Sequence, residues 1–132
     1  MNLYLLLLIF SIITTTVAQW NPWEDARRFQ DNLNDHTRAR QTSSITWMCM
    51  DTFKYKACNG KLQDCEYFAQ VLIGLGPIGT VTAARGDAEA HQAHPFPYTI
   101  YQAHYGARKL EFTLIYSPLS GVQIKRAEEL IC

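Results

Sequence analysis

The residues FKYKACNGKLQDCEYFAQVLIGL, which run from Phe53 to Leu75, decide the fold. Phe53 and Tyr55 alternate with lysines, and this two-residue repeat is typical of a strand with one covered face. Asn59 and Gly60 then predict a turn, because both residue types accept a positive φ. The first half of the stretch therefore predicts a strand that ends in a tight turn.

A short amphipathic helix is predicted after this turn. Its apolar residues recur at spacings of three and four, as on the buried stripe of a helix. They are Leu62, Cys65, Phe68, Ala69 and Leu72. Asp64 and Glu66 lie near its start, where the helix dipole favours negative charge. Gly74 is expected to end the helix with a left-handed cap, and Pro77 cannot continue it because proline has no N–H.

A leading helix is predicted ahead of this centre. Asn21 is a suitable cap and Pro22 fits the first turn, so the helix is expected to run from there to about Arg40. One face is predicted to be buried, and it carries Trp23, Ala26, Phe29 and Leu33. A polar loop is expected over residues 41–44, and strand character is expected from Ile45 onward.

Four strand-like segments follow the central helix. They are Thr80 to Ala90, Tyr98 to Gly106, Leu110 to Ser117 and Val122 to Cys132. Sequential strands joined by short turns predict an antiparallel meander. Helices placed ahead of such a meander predict an α+β fold, with the leading helix and the second short helix packed on one face of the sheet.

The first 18 residues have the pattern of an export signal. They contain no charged side chain, and an apolar run from Leu3 to Ile13 precedes the small-residue sequence Thr16-Val17-Ala18. The run is shorter than the roughly 20 residues that span a bilayer. We therefore expect a signal peptide at residues 1–18 and one secreted, extracellular domain at residues 19–132, without membrane contact after cleavage.

Four cysteines lie in the predicted exported part. They are Cys49, Cys58, Cys65 and Cys132. An even number in an oxidising compartment predicts two disulfides, for which three pairings are open. A bridge from Cys132 would hold the carboxyl end to the first strand or to the central helix. A zinc site is disfavoured, since the sequence contains no C-x-x-C pair.

Charge and motifs exclude several function classes. Lysine and arginine number 12 and so do aspartate and glutamate, which gives a formal net charge of zero. Such a chain has no field that attracts nucleic acid. Residues 74–79 match G-x-G-x-x-G, but this match leaves a helix instead of a strand, so it does not predict a dinucleotide site. No cofactor is expected.

Two small groups of polar residues are weak candidate sites. Asp51 shares the parity of the neighbouring strand aromatics, and a buried carboxylate there would be a catalytic candidate. The alternative is an acid at a strand entrance that faces water. His91 and His94 are candidate ligands for zinc or copper, but Pro95 and Pro97 exclude the helix that would align them. Solvated histidines are the alternative.

The order of these elements resembles the secreted members of the nuclear transport factor two-like (NTF2-like) superfamily. The resemblance covers Trp23 to Cys132 and is sharpest from Phe53 to Leu72. In that superfamily, helices pack into the concave face of a curved antiparallel sheet and leave a cone-shaped cavity. The implied pocket residues are Trp47, Phe53, Tyr55, Tyr101, Tyr105, Phe112 and Tyr116. The alternative is that these aromatics fill the core.

Three functions are compatible with this resemblance. The favoured one is a non-enzymatic domain that binds a small apolar ligand or an extracellular protein, with a possible homodimer through the sheet. A ketosteroid isomerase-like enzyme needs a dry carboxylate near a hydrogen-bond donor, for which Asp51 is the weak candidate. A cystatin-like protease inhibitor is the third, since residues 70–74, QVLIG, are similar to the cystatin Q-x-V-x-G segment. Here, however, that segment is predicted to end a helix.

Overall fold

The computed structural model of the protein describes residues 21–89, 92 and 95–132. Three helices pack on a curved six-stranded sheet in this part of the chain, which confirms the predicted α+β class. The helices are α1 (Pro22–Arg38), α2 (Thr42–Thr46) and α3 (Cys65–Leu75). The strands are β1 (Cys49–Lys56), β2 (Leu62–Gln63), β3 (Thr80–Asp87), β4 (Tyr98–Tyr105), β5 (Arg108–Ser117) and β6 (Gly121–Glu129).

Some predictions fall outside the described residues. The signal peptide at residues 1–18 is one of them, and the candidate metal ligands His91 and His94 are the other. Within the described part of the chain, no helix combines the length and the apolar character that crossing a membrane requires.

The sheet is mixed, whereas an antiparallel sheet was expected. Its strand order is β2-β1-β6-β5-β4-β3. The meander from β3 to β6 is antiparallel as predicted, but β6 then lies beside β1 and runs parallel to it, with Tyr55 opposite Ala127. Parallel neighbours need a long crossover, and here α3 and the first three strands of the meander supply it. The alternation within single strands carries no information on this pairing.

Helix α1 begins where the sequence predicts, because the side chain of Asn21 caps it. Its Oδ1 accepts hydrogen bonds from the backbone N–H groups of Trp23 and Glu24 at 3.1 and 3.3 Å. The buried face differs from the prediction. Trp23 is 40% exposed and Phe29 is half-buried, whereas Gln30 is buried. The buried face of α1 therefore includes the polar residue Gln30 and is shifted away from the predicted position of Trp23.

The segment predicted as a polar loop forms the short helix α2. Ile45, predicted to start a strand, lies in this helix with its side chain fully buried. A five-residue helix is not stable alone, so burial of Ile45 in the core holds it in place. As a result, β1 begins only at Cys49.

Helix α3 begins and ends later than predicted. Asp64 is its cap, and Oδ1 accepts a hydrogen bond from the backbone N–H of Tyr67 at 2.9 Å. Leu62 therefore lies outside the helix, in β2, where it pairs with Lys56. The chain leaves the helix through Gly76, which has a φ of 87°, instead of Gly74.

Both predicted disulfides are present. One joins Cys49 to Cys65 and so ties β1 to the start of α3. The other joins Cys58 to Cys132 and holds the carboxyl end beside the end of β1. The sequence left three pairings open, and the fold selects this one because it brings these cysteines together in space.

Candidate functional site

The inside of the cone is filled with aromatic side chains. Five of the predicted pocket residues are at most 3% exposed, namely Phe53, Tyr55, Tyr101, Tyr105 and Phe112. The rings of Tyr101 and Phe112 stack with centroids 4.8 Å apart. Phe68 of α3 packs against Phe53, Tyr55 and Phe112 at 5.3, 5.0 and 5.8 Å. These five residues therefore lie in the core, in line with the alternative that the aromatics fill the core.

A polar cluster on α1 and β4 completes this interior. Gln30 of α1 is 1% exposed, and its Oε1 accepts a hydrogen bond of 2.9 Å from the hydroxyl of Tyr101. Its Nε2 donates to the hydroxyl of Tyr105 at 2.7 Å and to Oδ1 of Asn34 at 2.9 Å. Asn34 in turn donates to the carbonyl of Gly79. A buried amide with all of these partners fixes α1 on the sheet.

A second group of buried polar side chains lies near the end of β1. The hydroxyl of Tyr55 donates to Oε2 of Glu129 at 2.8 Å, and Arg108 pairs with Oε1 of the same carboxylate. Burial, with the adjacent carboxylate, raises the pKa of Tyr55 well above its usual value. The side chain of Glu129 has no exposed surface and Arg108 is partly exposed. The pair neutralises a charge inside the core, which is the condition for tolerating a buried carboxylate.

An open cleft lies between α1, α2 and the β5–β6 hairpin, with a volume of about 930 Å³. The α1 wall consists of Asp25, Arg28, Phe29, Asp31, Asn32, Asp35 and His36. The opposite wall consists of Ser44, Trp47 and Met48 from α2 and its end, and of Tyr116, Ser120, Val122 and Gln123 from the hairpin. Two predicted pocket residues, Trp47 and Tyr116, thus line this cleft instead of the core.

Trp47 stands at the rim of the cleft because it caps the short helix α2. The chain turns there toward β1, and the indole side chain of Trp47 is 81% exposed. Tyr116 is held differently, since its hydroxyl donates to Oγ1 of Thr99 at 3.1 Å. Burial raises the pKa of Tyr116 above its usual value. The cleft therefore presents one fixed aromatic ring and one indole that is open to a ligand.

The charges of the cleft are concentrated on α1. Among its described lining residues, three aspartates and Arg28 carry formal charges, and all four belong to this helix. Asp25 pairs with Arg28 at 3.8 Å, and Asp35 pairs with Arg38 at 2.7 Å. Within the described residues, Asp31 makes no ion pair. The α1 wall is therefore acidic, and the opposite wall is neutral.

Asp51, the weak catalytic candidate, is exposed on the outside of β1. It lines a separate depression of about 580 Å³ with Lys54, Asp64 and Glu66, beside Cys65 of the bridge to α3. The pairing of β1 with β6 is irregular between Cys49 and Lys54, so Asp51 lies in a part of the strand where the regular alternation that predicted an inward side chain does not hold. This carboxylate is not enclosed in a dry site of the kind that proton abstraction from carbon requires.

One further sequence hypothesis can be placed. Gln70 to Gly74, the cystatin-like segment, lies within α3, so its backbone is helical and does not form a hairpin tip. Within residues 21–89, 92 and 95–132, no group of three or more histidine, cysteine, aspartate or glutamate side chains is arranged to hold a metal ion.

Comparisons with known proteins give structural matches alone. No protein-family model matches the sequence, and no curated protein does. A de novo designed protein with a curved β-sheet superposes with a TM-score of 0.60 at 12% identity, over 81% of this chain and 97% of the other. A five-substitution variant of the designed NTF2-like protein Rd1NTF2_05 gives 0.58 at 14% identity, over 83% of this chain and all of the variant.

A natural protein gives the same result. An NTF2-like protein of unknown function from Pseudomonas aeruginosa superposes with a TM-score of 0.50 at 10% identity, over 85% of this chain and 99% of that protein. The chain has the NTF2-like fold. At these identities the likeness shows the NTF2-like fold alone and says nothing about a site.

Sequence reasoning missed the α1 wall of the cleft. The charged residues of this helix read as a solvated face, because periodicity separates buried from exposed positions and does not show which exposed positions border a cleft. One signal was present: Asp31 and Asp35 place like charges at a four-residue spacing, which destabilises a helix.

Proposed function

We propose that this protein is a non-enzymatic extracellular binding domain that takes a small amphipathic molecule in the cleft between α1, α2 and the β5–β6 hairpin. The observation that carries the proposal is Trp47, whose indole is 81% exposed at the rim of that cleft. A large apolar side chain held in water beside a concavity is typical of a binding surface.

The filled interior supports the choice of the cleft over the cone. The stacked rings of Tyr101 and Phe112 occupy space that a ligand in the cone would need. The hydroxyl of Tyr101 is already hydrogen-bonded to Gln30. The cleft volume of about 930 Å³ is within the range of roughly 300–1,000 Å³ that is usual for small-molecule sites. Phe29, Met48 and Val122 add apolar lining beside the indole.

The extracellular location is supported by the cysteines and by the sequence of residues 1–18. Two disulfides in one small domain are compatible with an oxidising compartment. A homodimer through the sheet stays a prediction, and so does binding of an extracellular protein in place of a small molecule.

A fluorescence titration with the neutral apolar dye N-phenyl-1-naphthylamine tests the proposal. We expect saturable binding that Trp47→Ala weakens by about tenfold, because the indole supplies much of the apolar contact area. Trp23→Ala is the matched control, since Trp23 is also exposed but does not line the cleft. Equal loss in both variants, or no binding to the unsubstituted protein, would refute the proposed site.

A further inference from the structure

We infer that the molecule bound in this cleft is an organic cation with an apolar body, whose positive group faces Asp31 and Asp35 and whose body faces Trp47. The inference rests on the proposed function and names the class of ligand. It follows from the distribution of charge between the two walls of the cleft.

The acidic wall places more carboxylates than cations in the described lining of the cleft. Three aspartates of α1 line the cleft with one arginine, so the formal charge of the lining is negative when His36 is neutral. That arginine, Arg28, is directed to Asp25 at 3.8 Å. Asp31 is left without an ion-pair partner among the described residues. A cation in the cleft would meet this carboxylate first.

Asp31 and Asp35 form a ready pair for one positive group. Residues four apart on a helix lie on the same face about 5–6 Å apart, so both carboxylates border the same side of the cleft. Arg38 pairs with Asp35 but lies outside the cleft lining. A bound ammonium group would therefore pair chiefly with Asp31, and Asp35 would offer a second carboxylate beside it.

The facing wall suits the rest of such a ligand. Trp47, Met48 and Val122 carry no charge, and Tyr116 adds a second ring to this wall. Phe29 adds a ring from the α1 wall. Aromatic faces attract cations, and indole does so most strongly. An anionic ligand would meet the repulsion of α1 without a counter-charge opposite, and a purely apolar ligand would leave the acidic wall unused. Charge complementarity therefore favours an amphipathic cation.

Three probes of equal shape test this inference: 2-naphthylmethylammonium, 2-naphthylmethanol and 2-naphthoate. We expect the cation to displace N-phenyl-1-naphthylamine about fivefold more tightly than the alcohol at low salt, with the carboxylate weakest, and the gap to narrow in high salt. In the double variant Asp31→Asn/Asp35→Asn, the affinity for the cation should fall to that for the alcohol. Both positions are exposed, so folding should be retained.

The matched control is Glu24→Gln/Glu89→Gln, which removes the same charge at exposed positions outside the cleft and should keep the preference. Equal affinity for all three probes, with each one still dependent on Trp47, would overturn the inference and leave the binding function standing. Loss of preference in the control would overturn it as well. Failure of every probe, with the dye, would refute the proposed function itself.

Discussion

The hydroxyl of Tyr101 donates a hydrogen bond of 2.9 Å to Oε1 of Gln30, inside the cone formed by the sheet and its helices. Both side chains are buried. This pair occupies space that an open cone would leave to a ligand, and it joins α1 to β4. The proposed site therefore lies in the cleft beside Trp47, and the buried pair stabilises the fold.

Gln30→Ala tests the role of this pair. Removing the amide leaves the hydroxyls of Tyr101 and Tyr105 without the partner that each has in the core. We expect the free energy of unfolding to fall by about 2–4 kcal/mol, since each unsatisfied buried group costs about 1–3 kcal/mol. Urea unfolding followed by circular dichroism measures it. Gln70→Ala, on the exposed face of α3, is the control and should change stability by less than about 0.5 kcal/mol.

Replacement by alanine is expected to change stability in opposite directions at two glycines. A Cβ on Gly79 would lie 2.6 Å from Cζ of Tyr105 and would also overlap Nε2 of Gln30, so Gly79→Ala should cost about 1–3 kcal/mol. A Cβ on Gly74, within α3, meets nothing within 4 Å. Gly74→Ala should stabilise the protein by about 0.5–1 kcal/mol through helix propensity. Equal melting temperatures would contradict this account of the α1–β4 contact.

The buried tyrosines predict loss of stability in alkali. Burial raises the pKa values of Tyr101 and Tyr105 well above the unfolded value of about 10. The folded state then holds protons that the unfolded state releases, so the contribution of these tyrosines to stability is constant below about pH 9 and falls above about pH 10, by roughly 1.4 kcal/mol per pH unit for each of them.

The pH profile of urea unfolding measures this effect. Tyr105→Phe should make the alkaline slope shallower, whereas Tyr67→Phe, at a partly exposed position, should leave it nearly unchanged. A slope that is the same in Tyr105→Phe as in the unsubstituted protein would contradict the prediction, whatever the stability of that variant at neutral pH.

The ion pair of Arg108 and Glu129 is expected to contribute far more than a surface pair. Arg108→Met removes the cation from the buried carboxylate of Glu129 and leaves it the hydrogen bond from the hydroxyl of Tyr55. We expect the free energy of unfolding to fall by about 2–4 kcal/mol. This is somewhat less than the roughly 3–5 kcal/mol for breaking a fully buried pair, because Arg108 is partly exposed. Lys56→Met is the control, since its pair with Glu128 lies at the surface and should contribute at most about 1 kcal/mol.

Much of the fold follows from local sequence patterns. Asn21 before Pro22 places the start of α1, and the alternation from Leu110 to Ser117 places most of β5, because caps and periodicity act over a few residues. The parallel pairing of β1 with β6 and the helical form of residues 42–46 depend on contacts distant in sequence, such as the burial of Ile45. No local pattern contains that information.

The candidate site was predictable to a smaller extent. Trp47 and Tyr116 belong to the aromatic set that the resemblance implied, but the same set includes five residues that lie in the core. Residue type alone does not distinguish a ring that fills a core from one that lines a cleft. The acidic wall depends on how α1 sits beside α2, a tertiary arrangement that charge patterning cannot supply.

The most direct test of the central claim is a nuclear magnetic resonance titration of the labelled protein with N-phenyl-1-naphthylamine. If the cleft is the site, the indole N–H signal of Trp47 and the amide signals of α1 around Phe29 shift in a saturable manner, while the ring signals of Tyr101 and Tyr105 stay in place. Shifts of those two buried rings with an unchanged Trp47 signal would contradict the account, because they would show that the ligand enters the cone.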